Sequence, residues 1–324
     1  MNITKKILKK LTLKIIADDK TIVNNQKLKE LVKKNSQVLS QLGMKKNDNV
    51  VIVLNNSLMN PDHIDLEKIE DGLSNKLIYR ITEKENTKII IDFSRDKQEF
   101  KNFLTVYEIL QKINISIPKI YEVNQKQYKI YMQDFGKNRF NKIYNKDNLY
   151  KLLKLAVENI IVIQNESNLN NLKNLKEYTF EDLKIELKEF VTYYIPNNKN
   201  SNFPTSKFYE SWKSIFYSQN YNMKNFVHKD FEFVNLFFLE NCESHLQCGI
   251  IDFQSAFKGF IGWDLISLLE NPRINFTRDY NDKLIEYFYN NTSIIENFNT
   301  FLEQYYVLSL ARQTRLLGRW RKLL

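Results

Sequence analysis

Two short segments carry the clearest pattern in this chain: His228-Lys229-Asp230-Phe231-Glu232-Phe233-Val234-Asn235 and, shortly after, Ile250-Ile251-Asp252-Phe253-Gln254. Asp252 follows a short apolar run that is typical of a buried strand. Between the two segments, Leu236-Phe237-Phe238-Leu239 and Leu246-Gln247-Cys248-Gly249 flank a polar turn and predict a β-hairpin. Such a hairpin would return Asp252 to the end at which Asn235 lies.

These residues carry the groups that phosphoryl transfer requires. That reaction needs a carboxylate to orient the attacking hydroxyl, and oxygen ligands that hold magnesium against the phosphates. Asp230 can accept a hydrogen bond from a hydroxyl, while Asn235 and Asp252 can supply a neutral and a charged oxygen ligand. His-x-Asp followed by Asn also occurs by chance, but its combination with the hairpin, the Asp-Phe pair and an apolar helix over 265–269 indicates a kinase.

The same segments resemble the aminoglycoside phosphotransferase-like kinases, a superfamily that includes the choline kinases. Within it, Ile251-Asp252-Phe253-Gln254-Ser255-Ala256, Gly259 and Asp264-Leu265-Ile266-Ser267-Leu268-Leu269 look like the bacterial cell-wall amino-sugar kinases. That branch phosphorylates the anomeric hydroxyl of N-acetylmuramate and N-acetylglucosamine. Ala311-Arg312-Gln313-Thr314-Arg315-Leu316-Leu317-Gly318 is similar to a late helix of the branch, whose members usually continue well past it, so we expect this chain to be truncated.

The resemblance implies a role for each matching residue of these segments. Asp230 corresponds to the catalytic base, and His228 to a residue that braces the catalytic loop. Asn235 and Asp252 correspond to the magnesium ligands. Asp264 corresponds to a support that ties down the backbone of the loop.

The resemblance also implies a nucleotide site and an acceptor contact. Most superfamily kinases carry a phosphate-binding Lys on the third strand, where this chain reads Ile89-Ile90-Ile91-Asp92. Lys76, Arg80 and Lys88 are candidates to replace that cation, and the alternative for each is a solvated strand residue. Glu186 matches an acidic residue near the substrate, with a surface position as the alternative. The residues implied to bind ATP, from the phosphate loop to the hinge, are Gly72, Ser74, Asn75, Lys76, Arg80, Gln133 and Phe135.

The chain as a whole predicts an α+β, two-lobed protein-kinase-like fold. We expect a small antiparallel β-sheet N-lobe over 61–136 and a mainly helical C-lobe with the catalytic β-hairpin over 137–324. Alternation predicts strands over 77–81, 87–93 and 128–132, and helical spacing predicts helices over 97–113, 149–163, 180–194 and 208–217. Five of the seven glycines, at 72, 136, 249, 259 and 262, fall where this arrangement predicts turns.

Residues 1–60 do not fit the kinase pattern and form an N-terminal helix-strand extension of their own. An amphipathic helix over 28–42, a turn and the apolar run Val50-Val51-Ile52-Val53-Leu54 resemble the start of adenylate-forming ligases. No Ser/Thr/Gly-rich phosphate loop follows, so we do not expect adenylation activity. A fused remnant and a chance similarity both stay open.

Composition excludes several classes of protein. With 324 residues, 43% of them hydrophobic, the chain can bury the core of one two-lobed domain or of two domains. No apolar run reaches the roughly 18 residues that span a membrane, and the basic start lacks the apolar stretch of a signal peptide. We therefore expect a cytoplasmic protein. The two cysteines, Cys242 and Cys248, are too few for a zinc site.

The net charge of +10 comes mainly from scattered Lys residues, so we expect no obligate nucleic-acid partner. The C-terminal helix is basic, so contact with RNA or lipid at that helix stays an alternative. Its basic residues are Arg312, Arg315, Arg319, Arg321 and Lys322.

The leading hypothesis is an ATP- and Mg²⁺-dependent small-molecule kinase acting on a hydroxyl of a sugar or amino sugar, as in cell-wall sugar recycling. Choline, ethanolamine or an aminoglycoside are alternative acceptors. Aromatic rings would line a choline site, and an aminoglycoside site would be acidic, which the basic charge opposes. The missing Lys and the single-glycine phosphate loop motivate a third hypothesis, a nucleotide-binding pseudokinase or scaffold. The sequence does not determine the oligomeric state.

Overall fold

A computed structural model describes residues 64–69, 76–83, 86–167, 172–197, 202–274 and 277–324. The chain divides into two compact units, Met1–Asp92 and Phe93–Leu324. The predicted extension over 1–60 and three residues of the predicted phosphate loop, Gly72, Ser74 and Asn75, lie outside the described residues. The lobe boundary at position 136 stays a prediction.

The described part of the first unit is an antiparallel sheet of three strands, β1 (Ile64–Ile69), β2 (Leu77–Glu83) and β3 (Asn86–Asp92). β2 pairs with both neighbours, and its register places Leu77 opposite Asp92 and Ile78 opposite Ile91. Ile90 and Ile91 are buried. β-branched residues fit a pleated, half-buried surface, which explains why this Ile-rich segment forms a strand.

The second unit is mainly helical, and its strands are short. Its helices are α1 (Lys97–Leu110), α2 (Phe140–Ile143), α3 (Leu149–Glu166), α4 (Phe180–Glu189), α5 (Ile195–Asn197), α6 (Thr205–Ser218), α7 (Trp263–Leu269), α8 (Arg278–Asn291) and α9 (Phe298–Leu323). Its strands are β4 (Ile120–Asn124), β5 (Lys129–Gln133), β6 (Asn225–Val227), β7 (Leu236–Phe238), β8 (Cys248–Ile250) and β9 (Phe257–Gly259). An antiparallel sheet followed by a mainly helical region is the α+β arrangement that the sequence predicts.

The helix α3 lies at the centre of the helical region, as predicted. Most of its side chains are buried, because apolar residues occupy more than one face of the helix. Its two buried polar side chains reach backbone carbonyls: Asn159 Nδ2 donates to His245 O (2.6 Å), and Gln164 Nε2 donates to Phe226 O (2.8 Å). The second bond ties the central helix to the strand that precedes the predicted catalytic loop.

Two predicted elements differ from the structure. The second hairpin strand begins at Cys248, because residues 244–247 form a 3₁₀ turn instead. This turn is hydrogen-bonded to the segment over 114–116: Ser116 Oγ donates to Leu246 O, and His245 Nε2 bonds to Asn114 O. The predicted helix over 180–194 is α-helical only to Glu189 and continues as a π-helix over Phe190–Tyr194. Pro196 follows closely, and a proline ring would clash with the carbonyl of residue i−4 in a regular α-helix. The wider turn relieves that clash.

None of the helices in the described ranges is long and apolar enough to cross a bilayer.

The C-terminal helix α9 packs closely against the π-helix. A Cβ built at Gly318 would lie 2.2 Å from the backbone nitrogen of Phe190. Arg319 and Lys322 form ion pairs with Glu189 at 3.1 Å on the same face. The position of α9 therefore depends on a residue without a side chain.

We expect Gly318→Ala to destabilise the fold. The added methyl group meets backbone atoms, which cannot rotate away, and overpacking of this kind costs about 1–3 kcal/mol. That loss exceeds the gain of up to about 1 kcal/mol that Ala has over Gly in a helix interior. Urea denaturation measures the difference.

Leu317→Ala is the control, because Leu317 is exposed on the same helix turn and should change the free energy of unfolding by less than about 0.5 kcal/mol. Equal or greater stability of Gly318→Ala would contradict the close packing.

Candidate active site

The hairpin brings the predicted metal ligands to one end of a pair of strands. β7 pairs antiparallel with β8, with Leu236 opposite Ile250. One residue beyond that pair, Ile251 N donates to Asn235 O (3.1 Å). Asn235 and Asp252 therefore flank the last bonded position of the hairpin.

Asp264 joins α7 to the predicted catalytic loop. Its side chain is 1% exposed and accepts two backbone hydrogen bonds, from His228 N to Oδ2 (2.7 Å) and from Lys229 N to Oδ1 (3.0 Å). Ser267, one helical turn later, donates from Oγ to Lys229 O (3.1 Å). Burial raises the pKa of the Asp264 carboxyl to about 7, while the two amide groups oppose this rise. Helix α7 thus holds the backbone just before Asp230 at three points.

Two non-glycine residues beside the site have left-handed backbone conformations. Lys229 has a φ of 82°, and Asp252 has a φ of 65°. Such conformations cost about 1–3 kcal/mol each and cluster at functional sites. Asp264 holds the first residue, and the hairpin bond from Ile251 holds the segment that leads into the second.

Backbone hydrogen bonds also fix the loop between Asp230 and Asn235. Asp230 O accepts from Glu232 N (2.9 Å) and from Asn235 Nδ2 (2.9 Å). The NH₂ group of Asn235 is therefore directed at the loop, and its Oδ1 is the atom that can serve as a ligand. The side chain of Asp230 is half-buried, so its carboxylate is accessible to a small molecule.

His228 is buried in the loop. Its Nε2 lies 3.0 Å from Ile251 O, and because a carbonyl only accepts, Nε2 carries the proton. The ring packs edge-on against Phe231, and Nδ1 is buried with no partner among the described residues. Burial lowers the pKa of His228, so the ring is neutral at pH 7. The structure thus places His228 as a link between the loop and the Asp252 segment.

Helix α1 contacts the segment that carries Asp252. Phe253 is fully buried, with its ring 4.8 Å from the ring of Phe103. Gln254 Nε2 donates to Asp252 Oδ1 (2.8 Å) and to Glu99 Oε1 (3.0 Å). The predicted metal ligand is therefore attached to α1 through the two residues that follow it.

The predicted hinge follows β5. Gln133 N donates to Lys119 O, whereas no hydrogen bond from any described residue engages the backbone of Phe135. The ring of Phe135 packs against Phe237 and over Gly249, where a Cβ would lie 2.7 Å from its Cε2 atom.

The sequence prediction of turns at Gly249 and Gly259 is wrong, because both glycines are strand residues, in β8 and β9 respectively. Gly249 has no side chain because the ring of Phe135 lies too close for a Cβ.

A cavity of about 290 Å³ adjoins the hinge. It is lined by hinge residues and by the end of the hairpin, namely Gln133, Asp134, Phe135, Asn138, Phe238, Leu239, Glu240, Asn241 and Cys242. Phe135 is thus one of the residues at the edge of this cavity.

In the first unit, the predicted cations have different environments. Lys76 precedes Leu77, the β2 residue that pairs with Asp92. Because Lys76 is only 5% exposed, it is not a solvated strand residue. Arg80 forms an ion pair with Glu67 (3.2 Å), and Lys88 is half-buried. The roles predicted for all three in phosphate binding stay predictions.

Three arginine–glutamate ion pairs include two arginines that interact electrostatically with Asp230. Arg315 Nη1 donates to Glu186 Oε1 (3.3 Å), whose Oε2 accepts from Tyr178 OH (3.2 Å). Arg312 Nη2 and Arg273 Nη1 each donate to Glu232 at 2.7 Å, through Oε1 and Oε2 respectively. Glu186 is half-buried and held by protein groups at both oxygens, so it is not a purely surface residue.

Two of the α9 arginines, Arg312 and Arg315, interact electrostatically with Asp230. Burial lowers the pKa of Arg315, but Glu186, Asp230, Tyr178 and Glu232 together raise it above its ordinary value. For Arg312, burial lowers the pKa, and Glu232 and Asp230 oppose this only in part. The surroundings of Asp230 thus contain positive charge from α9.

Solved structures share this arrangement of elements. Choline kinase LicA from Streptococcus pneumoniae superposes with a TM-score of 0.56 at 13% identity, over 90% of this chain and 91% of that protein. The GDP complex of aminoglycoside 2'-phosphotransferase-IIIa gives a TM-score of 0.54 at 12% identity, over 87% and 89%. ADP-bound aminoglycoside phosphotransferase APH(2'')-Ib gives 0.52 at 16% identity, over 72% and 79%. The chain has the fold of these small-molecule kinases. No protein-family model and no curated protein sequence matches it.

The residues at the end of the hairpin fit a magnesium ion that arrives with a nucleotide. Within the described ranges, no group of three or more His, Cys, Asp or Glu side chains could hold a metal. Magnesium in kinase-like folds instead uses one or two protein oxygens together with phosphates and water. Asn235 Oδ1 and the Asp252 carboxylate are such a set, and Asp252 already has one oxygen oriented by Gln254.

Sequence reasoning missed the groups that reach the site from distant elements. Glu99 is one helical turn from Phe103 on the predicted core face of α1, a position at which a charged residue is unusual. The charge of Glu99 on this face is therefore a signal in the sequence, whereas no local pattern distinguishes Gln254, Glu232 or Arg273 from other polar residues. The basic residues of α9 were noted only as a possible anionic contact, and two of them instead pair with Glu232 and Glu186.

We expect Asp264→Asn to loosen the loop before Asp230. An amide has one acceptor oxygen, so one of the two buried N–H groups would lose its partner, at a cost of about 1–3 kcal/mol. Urea denaturation measures the loss, and hydrogen exchange should become faster at the amides of His228 and Lys229.

Asp279→Asn is the control, because its ion pair with Lys283 is exposed and should contribute less than about 1 kcal/mol. Unchanged stability and unchanged amide exchange in Asp264→Asn would show that the buried carboxylate does not hold the loop.

Proposed function

We propose that the chain is an ATP- and Mg²⁺-dependent kinase that phosphorylates a hydroxyl group of a small molecule, a sugar or amino sugar. The observation that carries the proposal is the arrangement of Asp230, Asn235 and Asp252. Asn235 and Asp252 flank the end of one hairpin, and the Asn235 side chain bonds to the backbone of Asp230. The fold shared with aminoglycoside phosphotransferases and a choline kinase supports the same conclusion.

The nucleotide base would bind at the hinge. The backbone of Phe135 can pair with the edge of an adenine, and the adjoining cavity can take a planar ring. Solved structures with this fold were obtained with ADP or GDP. The phosphates would then extend toward Asn235 and Asp252, the ligands of a magnesium ion that neutralises the charge of the phosphates.

Asp230 would act on the acceptor. Its carboxylate accepts a hydrogen bond from the hydroxyl and then its proton, as the hydroxyl oxygen forms a bond to the γ-phosphorus. The bond between that phosphorus and the bridging oxygen breaks, and ADP leaves. The backbone of Asp230 has little freedom, since Asp264 and Asn235 hold it on both sides, and such preorganised positioning is the main contribution of a protein to this reaction.

The charge around Asp230 favours an acceptor that is not a cation. Among the charged residues that pair with α9 beside Asp230, the three arginines Arg273, Arg312 and Arg315 outnumber Glu186 and Glu232, so this cluster is not acidic. Binding surfaces carry potentials complementary to their ligands, and an aminoglycoside with several ammonium groups would need an excess of carboxylates. A sugar hydroxyl needs no such excess.

A choline site needs aromatic faces that a quaternary ammonium can reach. The ring cluster beside Glu186 consists of Tyr178, Phe257 and Trp263, which pack on one another with centroids 4.6–5.2 Å apart. Each of these residues is 8% exposed or less. Their faces are therefore occupied, and choline is a weaker candidate than a sugar.

The test is ADP release from Mg·ATP by the purified chain in the presence of N-acetylglucosamine, N-acetylmuramate, other hexoses, choline or an aminoglycoside. We expect stimulation by a sugar and a loss of about 10²–10⁴-fold in kcat for Asp230→Asn, because a general base contributes about that factor. Asp147→Asn, at an exposed position, should keep full activity.

Stimulation by choline or an aminoglycoside alone would overturn the sugar assignment and leave the kinase assignment. Nucleotide binding without turnover on any acceptor would instead favour a pseudokinase.

Arg315 should affect the acceptor and not the nucleotide. We expect Arg315→Gln to raise the KM for the sugar about 10-fold, a loss of about 1.4 kcal/mol, because Glu186 loses its partner and the acceptor side becomes more acidic. The KM for ATP should stay within about two-fold, and turnover of choline relative to the sugar should rise.

Arg319→Gln is the matched control, since Arg319 lies on the same helix but pairs with Glu189 at a more exposed position. A rise of both KM values together, or an equal effect of Arg319→Gln, would contradict an acceptor site beside Arg315.

A further inference from the structure

Gln254 has an unusual set of contacts for a buried amide. The residue is 6% exposed, and its Nε2 donates to two carboxylates, Asp252 Oδ1 (2.8 Å) and Glu99 Oε1 (3.0 Å). Its Oε1 is buried and has no partner among the described residues. One end of the amide therefore has two bonds, and the other end has none.

The chemistry of the neighbours fixes the orientation of this amide. Carboxylate oxygens only accept hydrogen bonds, so the NH₂ group must face Asp252 and Glu99. A rotation by 180° would place the amide oxygen against two negative groups. The buried Oε1 thus has a fixed direction, and a buried carbonyl oxygen without a donor costs about 1–3 kcal/mol. A missing water or ion is a common explanation for such an atom.

The contact with Glu99 is part of a wider contact with α1. Glu99, Phe103 and Tyr107 are spaced by four residues and lie on one face of this helix. The rings of Phe103 and Tyr107 lie 4.8 Å and 6.4 Å from the ring of Phe253, and Glu99 bonds to Gln254. Helix α1 therefore contacts both residues that follow Asp252.

We propose that Gln254 is a positioning residue for the metal site. Its NH₂ group fixes the rotamer of Asp252 and connects that residue to Glu99, and its Oε1 would be the acceptor for a water that accompanies the ion. The inference rests on the proposed function, because it requires that Asp252 hold the ion. Groups that orient metal ligands in this way commonly change metal affinity by about 10–100-fold when they are removed.

The contact of Gln254 with Glu99 differs in kind from a helix contact that matters in the protein kinases. In those enzymes a third-strand Lys pairs with a Glu on the following helix, and that ion pair must form for activity. Here a neutral amide connects Glu99 of α1 to Asp252, so the position of α1 bears on the proposed metal ligand itself.

A purely structural role would give a different result. If Gln254 only attached α1 to the loop, its removal would lower stability and weaken nucleotide binding to the same degree with and without metal. The proposed role requires a loss that appears only when metal is present.

The experiment is isothermal titration of the full chain with ADP, once with excess Mg²⁺ and once with EDTA. The variants are Gln254→Leu, which removes both amide functions, and Gln254→Asn, whose shorter side chain cannot reach both carboxylates. Gln254→Asn carries the test if the Leu variant does not fold. We expect the Kd for ADP with Mg²⁺ to rise about 10-fold or more, and the Kd in EDTA to stay within about two-fold.

Gln164→Leu is the matched control. Gln164 is 1% exposed, donates to one backbone carbonyl and also has a buried Oε1 without a partner among the described residues, but it bonds to neither carboxylate of the site. An equal rise of both Kd values in Gln254→Leu, or the same metal-specific rise in Gln164→Leu, would overturn the role of Gln254 and leave the proposed function intact. Wild-type chain that binds no ADP in either buffer would overturn the proposed function and the inference with it.

Discussion

The buried carboxylate of Asp264 is the interaction on which the site depends. It is surrounded by apolar residues of α7, and it is compensated by two backbone N–H groups from a different segment of the chain. A charge in such a place is unfavourable unless it is hydrogen-bonded, so the helix and the loop stabilise each other. As a consequence, the backbone of Lys229 is held at a φ of 82°. This fixes the direction in which the chain continues to Asp230. Asp230 owes its position to a carboxylate on a different element of the chain.

The second constraint comes from the other side of the site. Asp252 also has a left-handed conformation, and its neighbours Phe253 and Gln254 are bound by α1. His228 connects the two halves, since its ring hydrogen-bonds to the carbonyl just before Asp252. The loop of Asp230 and the segment of Asp252 are thus each strained and each attached to a helix. A small movement of either helix would be transmitted to one carboxylate.

The sequence predicts local geometry well and distant contacts poorly. Asn235 and Asp252 flank one hairpin and Asp230 lies in the loop just before it, so the turn residues and apolar strands of the hairpin determine their approach. The prediction of the fold succeeds for the same reason, because helices such as α3 carry their pattern within a single segment. By contrast, Glu99 and Gln254 are 155 positions apart, and Arg315 and Glu186 are 129 apart. Polar contacts at such separations leave no periodic signal, so only the packing of the helices reveals them.

The proposed acceptor side is the part of the site that depends most on the C-terminal helix. Glu186 lies on α4, one turn before the π-helix, and Arg315 lies on α9, one turn before Gly318. Because Gly318 lets the two helices approach, the register of α9 against α4 is set at the point next to the Arg315–Glu186 pair. Catalytic loop and acceptor charges therefore belong to different structural elements. A change in α9 can alter the charge that an acceptor meets while the hairpin with Asn235 and Asp252 stays as it is, which is how one fold can serve several acceptors.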